Sequence, residues 1–333
     1  MISAPRVLLS CVGENQPDWF QKMENLVLSV RRFGGSLADM PIVVNVVGGA
    51  ESVLVRSMHR LDVEVRTVDA VDRRRPTANK FRMLELASRS DFDVLLAVDC
   101  DVIVKGDVAA EVTPQALRAA PADRDELSGE GWQRMFELLE LPLPKKTCRM
   151  AVSGELTYPY FNSGVLFVPR ELCLPLLEHW KRHLAWVLDG GAQLVGMKRI
   201  RDQFPLAAAL VSAGLEVDAL PVNLNLSASW PRIAKPYRHQ WGPPFILHYH
   251  RLIGTDGFLL ASPNGRINSE LDEFNRARSE ALGVPYSGLG TVPLKRRASA
   301  WLRTQRWYRG MGGKLRPVRR SSTRDTGRTG PAA

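Results

Sequence analysis

The hydrophobic pattern of the first hundred residues alternates between short apolar runs and longer stretches with helical spacing. Apolar runs at 6–12, 41–47, 63–68 and 94–98 have the length of buried strands. Between them, apolar residues recur every three or four positions, as they do along an amphipathic helix. Strands that alternate with helices are joined by crossovers and form a mainly parallel sheet. The pattern therefore predicts an α/β fold.

The pattern after residue 100 is less regular, but both periods continue. Apolar runs at 160–168, 216–220 and 245–249 predict further strands, and helical spacing predicts helices at 171–188 and 202–212. We find no internal repeat. The whole pattern predicts a mixed, mainly parallel sheet flanked by helices.

The composition is that of a folded protein with a distinct C-terminal end. The 333 residues are 45% hydrophobic and 24% charged, which excludes a disordered or collagen-like chain. There are 45 Lys and Arg residues against 35 Asp and Glu, and twelve of the basic residues lie in 291–333 beside a single acid. The rest of the chain is nearly neutral. We predict one folded domain over residues 1–290 and a basic, flexible tail over 291–333.

The lack of an evident targeting signal and the spacing of the cysteines predict a cytoplasmic protein. No secretory signal and no run of about 18 apolar residues is evident in the sequence. The cysteines are scattered and form no CxxC pair, which is typical of reduced thiols and not of a disulfide framework or a zinc site. They are Cys11, Cys100, Cys148 and Cys173.

Two carboxylates follow the strand predicted at 94–98. Asp99 and Asp101 leave this strand at its carboxyl end, which is where ligands bind in open α/β sheets. Two hard oxygen ligands at this spacing suit Mg²⁺ or Mn²⁺, and such a cation could neutralise a diphosphate. Aspartates at a strand end also cap turns without further function. The residues alone leave both interpretations open.

Two later strands also carry polar residues that suit a ligand site. Asn162 supplies a donor and an acceptor, and Gly164 permits close approach of the backbone. His248 and His250 share one face of the last strand, where a neutral imidazole could complete the coordination of a metal. A turn before a core strand and a structural histidine are the alternatives.

A second histidine pair lies on the helix predicted at 171–188. His179 and His183 are four residues apart, but the segment lacks the glutamate of a zinc-protease helix and cations flank the pair. We interpret it as a solvated helix face.

Taken in order, the motifs resemble those of the GT-A glycosyltransferases. The sequence carries Asp99-x-Asp101, then Phe-Asn-Ser-Gly-Val-Leu at 161–166, Asp-Gln at 202–203 and Ile-Leu-His-Tyr at 246–249. This order is most similar to glycosyltransferase family eight, the glycogenin and bacterial galactosyltransferase group, over residues 6–254. The resemblance implies a Rossmann-like domain, a nucleotide-sugar donor (a UDP-sugar first of all), a divalent metal and transfer with retention of anomeric configuration.

The resemblance also implies roles for individual residues. The ligands of Mn²⁺, or of Mg²⁺, would be Asp99, Asp101 and His248. The residues beside the donor sugar and its anomeric carbon would be Asn162, Asp202 and Gln203. The other donor-binding residues would be Cys11, Val12 and Gly13 in a turn after the first strand, with Lys80, Arg82, Cys100, Gly164 and Arg251.

Three of these residues need comment. Lys80 and Arg82 are alternatives for a contact with the sugar and diphosphate, and Lys80 is favoured because Asn79 and Lys80 open a predicted helix. Arg251 lies where the family continues to a glycine and a diphosphate-binding lysine. A guanidinium there would supply the charge with a different geometry.

Three other functions compete with glycosyl transfer. A phosphohydrolase also uses a strand that ends in DxD, but here three strands precede the motif. A sugar nucleotidyltransferase needs a glycine-rich N-terminal loop with Arg and Lys, which is absent from this sequence. A non-enzymatic module could bind through the basic tail. The acceptor (a saccharide, a lipid-linked molecule or a small molecule) is not specified by any motif.

The tail itself predicts a membrane contact. Apolar and aromatic residues between 294 and 308 fall near one side of a helix, and cations fall mostly on the other. A basic amphipathic segment of this kind suits an anionic membrane surface, here the inner face of the cell membrane. Nucleic acid is not expected as a partner, because the body is nearly neutral. A solubilising tail is the alternative.

Overall fold

A seven-stranded sheet organises the computed structural model, which describes residues 4–72, 75–197, 202–240 and 242–291. The strands are β1 (Val7–Glu14), β2 (Ile42–Val47), β3 (Glu64–Val68), β4 (Val94–Val98), β5 (Val102–Val104), β6 (Leu117–Pro121), β7 (Cys148–Arg149), β8 (Leu156–Thr157), β9 (Phe161–Pro169), β10 (Val217–Ala219), β11 (Leu226–Ser227) and β12 (Ile246–His248). The helices are α1 (Pro17–Phe33), α2 (Ser52–Arg60), α3 (Gly129–Leu138), α4 (Arg170–Trp186), α5 (Ala192–Leu194), α6 (Gln203–Ser212) and α7 (Asn268–Leu282).

The large sheet is mixed and mainly parallel, with the order β10-β6-β9-β4-β1-β2-β3. Strands β1 to β4 pair in parallel, as do β6 and β10. Strand β9 is antiparallel to both of its neighbours, β4 and β6. The predicted fold class, a mainly parallel sheet flanked by helices, is confirmed.

Both faces of the sheet are covered by helices, so its central strands are buried throughout. Leu8 and Leu9 are adjacent in β1 and pack into different apolar clusters on the two sides of the sheet. Leu26 of α1 belongs to one cluster, and Leu176 of α4 to the other. This two-sided burial explains why the strands are continuous apolar runs without alternating polar residues.

A second, smaller sheet forms where the chain leaves β4. Strand β5 begins directly after Asp101 and pairs antiparallel with β12, which pairs in parallel with β11. The segment from Asp99 to Asp101 therefore connects a strand of the large sheet to a strand of the small one. This connection is what positions the site described below.

Several predicted elements differ from the observed ones. The predicted helix that contains Asn79 and Lys80 is a 3-10 helix, Pro76–Leu84. Strands β5 and β6 were not predicted, because β5 has only three residues and β6 is a short, alanine-rich segment that ends at a proline. The predicted tail lies outside the described residues apart from Thr291. In the part of the chain that the structure describes, no helix combines the length and hydropathy needed to cross a bilayer.

The histidine pair of α4 is not a solvated face, so that interpretation was wrong. His183 is buried against α6, and its Nε2 lies 2.7 Å from Ser212 Oγ. His179 Nδ1 lies 2.7 Å from the same hydroxyl. Burial, followed by the charges of Arg182 and His179, lowers the pKa of His183 to about 4. The packing of α4 on α6 therefore requires a neutral imidazole.

This histidine should make the free energy of unfolding depend on pH. Its unfolded pKa is about 6.5, so between pH 6.5 and 4 the unfolded chain binds the proton and the folded chain does not. Stability attributable to His183 is present above pH 6.5 and is lost as the pH falls towards 4. Urea unfolding at several pH values should show that the free energy of unfolding falls less steeply with decreasing pH in His183→Gln than in the wild type. His59→Gln, on an exposed face of α2, should keep the wild-type slope; equal slopes in all three proteins would refute the assignment.

Candidate active site

The turn between Asp99 and Asp101 is held from both sides by backbone hydrogen bonds. The amide of Asp99 donates to the carbonyl oxygen of Gly164 at 2.9 Å, which extends the pairing of β4 with β9 by one residue. The carbonyl oxygen of Asp101 accepts from the amide of Tyr249 at 3.0 Å. Both carboxylates are thereby fixed at the edge where β4 ends and β9 begins.

His248 lies between these carboxylates. Its Nε2 is 3.0 Å from Asp101 Oδ1 and 3.6 Å from Asp99 Oδ2. Its Nδ1 lies 3.2 Å from Asn225 Oδ1, and a carbonyl oxygen can only accept, so Nδ1 is the donor there. The buried ring is therefore oriented with Nε2 towards the carboxylates.

His250 lies beside His248 although β12 has already ended. The two rings stack with centroids 3.9 Å apart and an interplanar angle of 26°. The backbone of His250 has φ 51°, a left-handed conformation that turns its side chain back towards β12. Ligand atoms of Asp101, His248 and His250 lie within 4.8 Å of one another, which is a possible metal-binding cluster.

The residues at this edge fit a divalent cation. Carboxylate oxygen and imidazole nitrogen are both suitable donors for Mn²⁺, and both converge here. Gly164 keeps the space open: a Cβ at this position would lie 2.7 Å from His248 Cε1 and 2.8 Å from Asp99 Oδ2. A larger residue at 164 would therefore fill the region between the proposed ligands.

Lys80 forms a second cluster on the other side of Asp99. Its Nζ lies 2.8 Å from Asp99 Oδ2, 2.8 Å from Asp202 Oδ2 and 3.1 Å from Ser163 Oγ. The hydroxyl of Ser163 also donates to Asp202. Burial opposes the charge of Lys80, but Asp202 and Asp99 outweigh it and raise the pKa of the ammonium. Lys80 is a largely buried cation that bridges two carboxylates.

The three aspartates differ in how readily they take a proton. Burial, together with the charge of Asp101, raises the pKa of Asp99 despite Lys80 and His248. Burial would also raise the pKa of Asp101, but the charge and hydrogen bond of His248 lower it below the usual range. Asp202 is likewise buried, and Lys80 and Ser163 lower the pKa of its carboxyl. Asp101 and Asp202 therefore stay ionised at neutral pH.

The remaining predicted site residues are distributed around these two clusters. Asn162 is buried, and its Oδ1 accepts from the amide of Gly164 at 2.7 Å. Gln203 is half-buried at the first position of α6, directly after Asp202. Cys100 is buried between the two carboxylates in sequence, and Arg251 is exposed after His250.

The local structure around four predicted donor-binding residues differs from the expectation. Cys11, Val12 and Gly13 do not form a turn, because β1 continues to pair with β2 as far as Glu14. The Cys11 side chain is buried in the core, and burial raises its pKa to about 12. Arg82 donates to Glu85 at 2.7 Å, so of the two alternatives only Lys80 lies among the site carboxylates.

A half-buried carboxylate close to the same edge was not predicted from the sequence. Asp123 follows β6, and its Oδ2 accepts from Trp230 Nε1 at 2.8 Å. Burial raises the pKa of Asp123, although Trp230, His248 and Ser227 act in the opposite direction. An aspartate after an apolar strand is the same signal that identified Asp99, but β6 is too short to stand out. Ser163 was also missed, since it lies between two residues that drew attention for other reasons.

Comparison with known proteins identifies a family for this chain. The family model of the Rhodobacterales glycosyltransferase domain matches residues 29–214, more than half of the chain. No curated protein matches the chain by sequence.

Three solved structures illustrate what the chain is similar to. The bifunctional glycosyltransferase WbbM, in its apo form, shares 13% identity over 75% of this chain with a TM-score of 0.46; the match spans 46% of WbbM. Mouse xyloside xylosyltransferase 1 shares 15% over 74% of this chain and 98% of its own, with a TM-score of 0.43. The galactosyltransferase LgtC, in complex with donor and acceptor sugar analogs, shares 17% identity over 87% of this chain and 99% of its own, with a TM-score of 0.46.

Proposed function

The chain belongs to the Rhodobacterales glycosyltransferase domain family, and we propose that it moves a sugar from a nucleoside diphosphate to an acceptor hydroxyl. UDP is the favoured nucleotide of the donor. The observation that carries this proposal is the position of Asp99. Its Oδ2 lies 2.8 Å from Lys80 Nζ and 3.6 Å from His248 Nε2. One carboxylate therefore joins the proposed metal ligands to the Lys80–Asp202 pair, so a diphosphate and its sugar would be held side by side.

The donor would be bound in the manner of the GT-A glycosyltransferases. Asp99, Asp101 and His248 would hold a divalent cation, which neutralises the charge that develops on the diphosphate leaving group. Lys80 already contacts two carboxylates, so its role is to fix Asp99 and Asp202 in place and to add positive charge near the sugar. Arg251 is the exposed cation proposed to reach the diphosphate from outside.

The transfer step requires one bond to break and one to form at the anomeric carbon. The bond to the phosphate oxygen breaks, a bond to the acceptor oxygen forms, and the acceptor hydroxyl gives its proton to an oxygen of the departing diphosphate. Asp202 is a poor acceptor for that proton because its pKa is lowered. An ionised Asp202 instead stabilises positive charge on the sugar ring. The lack of a base at Asp202 supports retention of configuration, because inversion needs a carboxylate placed to act as a base. Gln203 and Asn162 would lie beside the sugar.

We propose that the acceptor approaches from the side of Asp123 and Trp230. Asp123 is a second carboxylate whose pKa burial raises, and it can form a hydrogen bond with an acceptor hydroxyl. Trp230 is half-buried and holds this carboxylate through its indole nitrogen. An amphipathic ring beside a carboxylate suits a saccharide, free or lipid-linked, better than an apolar small molecule.

The function is tested by product identity. Purified full-length protein with Mn²⁺ should release a nucleoside diphosphate from one member of a panel of nucleotide-sugars. Asp99→Asn should abolish this release, and Asp39→Asn, an exposed aspartate before β2, should retain it. Release of inorganic phosphate would instead indicate a phosphohydrolase, and release of pyrophosphate from a nucleoside triphosphate and a sugar phosphate would indicate a nucleotidyltransferase. Either result contradicts glycosyl transfer.

We further propose that the basic tail brings the enzyme to an anionic membrane that carries its acceptor, at the cytoplasmic face. Twelve basic residues in 291–333 support this proposal, since each cation near such a surface contributes about 1 kcal/mol. The full chain should sediment with anionic vesicles at low salt, and a chain ending at 293 should not. Equal sedimentation of both chains, or no preference over neutral vesicles, would contradict the membrane contact. Donor turnover should survive the truncation in either case.

A further inference from the structure

We propose that His250 is a further ligand of the metal, and that the two imidazoles make the site select Mn²⁺ over Mg²⁺. This inference rests on the proposed function only for the presence of a divalent cation. The resemblance that identified His248 gives His250 no role, but the contacts of His250 itself indicate one.

The backbone of His250 is held in an unusual conformation. Its φ of 51° is left-handed, a conformation that is strained for a residue with a Cβ. The preceding residue, Tyr249, is fully buried and donates its amide to Asp101, so the turn is fixed at this point. A glycine would adopt this conformation without strain. The chain instead places an imidazole here, half-buried at the edge of the site.

The two imidazoles are held by matching partners on the neighbouring strand. Asn225 Oδ1 lies 3.2 Å from His248 Nδ1, and Ser227 Oγ lies 3.0 Å from His250 Nε2. Asn225 and Ser227 are two residues apart, as are the histidines, and β11 pairs with β12 in parallel. Each ring therefore has one nitrogen oriented by a polar side chain. Outer hydrogen bonds of this kind orient metal-ligating histidines.

The donor atoms of three residues lie close together. Ligand atoms of Asp101, His248 and His250 lie within 4.8 Å of one another, and the rings stack at 3.9 Å. This cluster offers one carboxylate and two imidazoles. Asp99 lies next to it, with its Oδ2 3.6 Å from His248 Nε2.

This donor set favours some cations over others. Mg²⁺ prefers oxygen ligands in a near-ideal octahedron and retains its water, whereas imidazole suits the transition metals better. One histidine among oxygen ligands discriminates weakly between Mn²⁺ and Mg²⁺. A second histidine replaces another oxygen and should widen the difference in affinity.

The test measures metal binding to the full-length protein without any nucleotide. Mn²⁺ affinity is read from the electron paramagnetic resonance signal of the free ion, and Mg²⁺ affinity from competition. Pulsed measurements on the bound Mn²⁺ count the coordinated imidazole nitrogens. His250→Gly keeps the left-handed backbone without strain, His250→Asn keeps a polar side chain there, and His239→Gly removes an exposed histidine as a control.

We expect two coordinated imidazoles in the wild type and one in His250→Gly. Mn²⁺ affinity should fall about 10- to 100-fold in this variant, and Mg²⁺ affinity much less, so the selectivity falls with it. Ser227→Ala should lower Mn²⁺ affinity in the same direction, while His239→Gly should not change it. A single imidazole in the wild type, or unchanged Mn²⁺ affinity in both His250 variants, would overturn the inference. If donor turnover with Mn²⁺ persists in that case, the proposed function stands without it.

Discussion

Replacing Lys80 with methionine is expected to cost the protein both stability and turnover. The ammonium lies 2.8 Å from carboxylate oxygens of Asp99 and Asp202, and its side chain is 15% exposed. Removing one partner from a buried ion pair leaves an uncompensated charge, which costs about 3–5 kcal/mol. Here two carboxylates are left facing each other. Urea unfolding should show this loss at pH 7, and kcat/KM for the donor should fall about 100- to 1,000-fold.

The loss should shrink in acid, and this separates electrostatics from packing. Without the ammonium, one of the two facing carboxylates takes a proton at a higher pH than usual, because like charges at short range cannot both ionise. The variant therefore regains stability relative to the wild type as the pH falls. Lys80→Arg should retain part of the stability. Lys181→Met, which breaks an exposed pair with Glu85, should cost at most about 1 kcal/mol at any pH. A Lys80→Met protein that is stable and active at pH 7 would refute the role of this cation.

Asp101→Asn is expected to abolish donor turnover while leaving the fold intact. The amide has the size of the carboxylate but not its charge, so it is a much weaker ligand for a divalent cation. The backbone bonds that hold the turn, from Asp101 to Tyr249 and from Asp99 to Gly164, do not involve the side chain. We therefore expect a thermal midpoint within a few degrees of the wild type and a fall in kcat of at least about 100-fold. An unfolded variant would instead mean that Asp101 has a structural role.

The same substitution should change His248. The carboxylate of Asp101 raises the pKa of this buried imidazole against the effect of burial. Without that charge the pKa of His248 should fall, which NMR titration of the ring protons can follow. An unchanged His248 titration would contradict the contact between Nε2 and Asp101.

The fold could be predicted because its central strands are buried on both faces. Continuous apolar runs such as 42–47 and 94–98 are unambiguous, and the carboxyl end of such a strand indicated Asp99 and Asp101 before any geometry was available. Lys80 was assigned through the family resemblance. The short strands β5 and β6 were not predicted, because three to five residues are too few to show a clear hydrophobic period.

The details of the site depended on features that a linear pattern does not contain. His248 and His250 were expected on one face because residues alternate along a strand, but β12 ends at His248. The left-handed backbone of His250 brings its ring back instead. Likewise, β1 is longer than predicted because it pairs with β2 as far as Glu14. No residue of the segment Cys11–Gly13 indicates this pairing. Asp123 is held by a contact between distant segments, because its partner Trp230 lies 107 residues further along the chain.

Calorimetric titration of UDP into the full-length protein, with and without Mn²⁺, tests the central claim most directly. Our account predicts that UDP binds with useful affinity only when Mn²⁺ is present, and that Asp101→Asn removes this metal-dependent binding while Asp39→Asn preserves it. Binding of UDP that is equally tight without metal, or unchanged in Asp101→Asn, would contradict the assignment of this edge as a metal–diphosphate site.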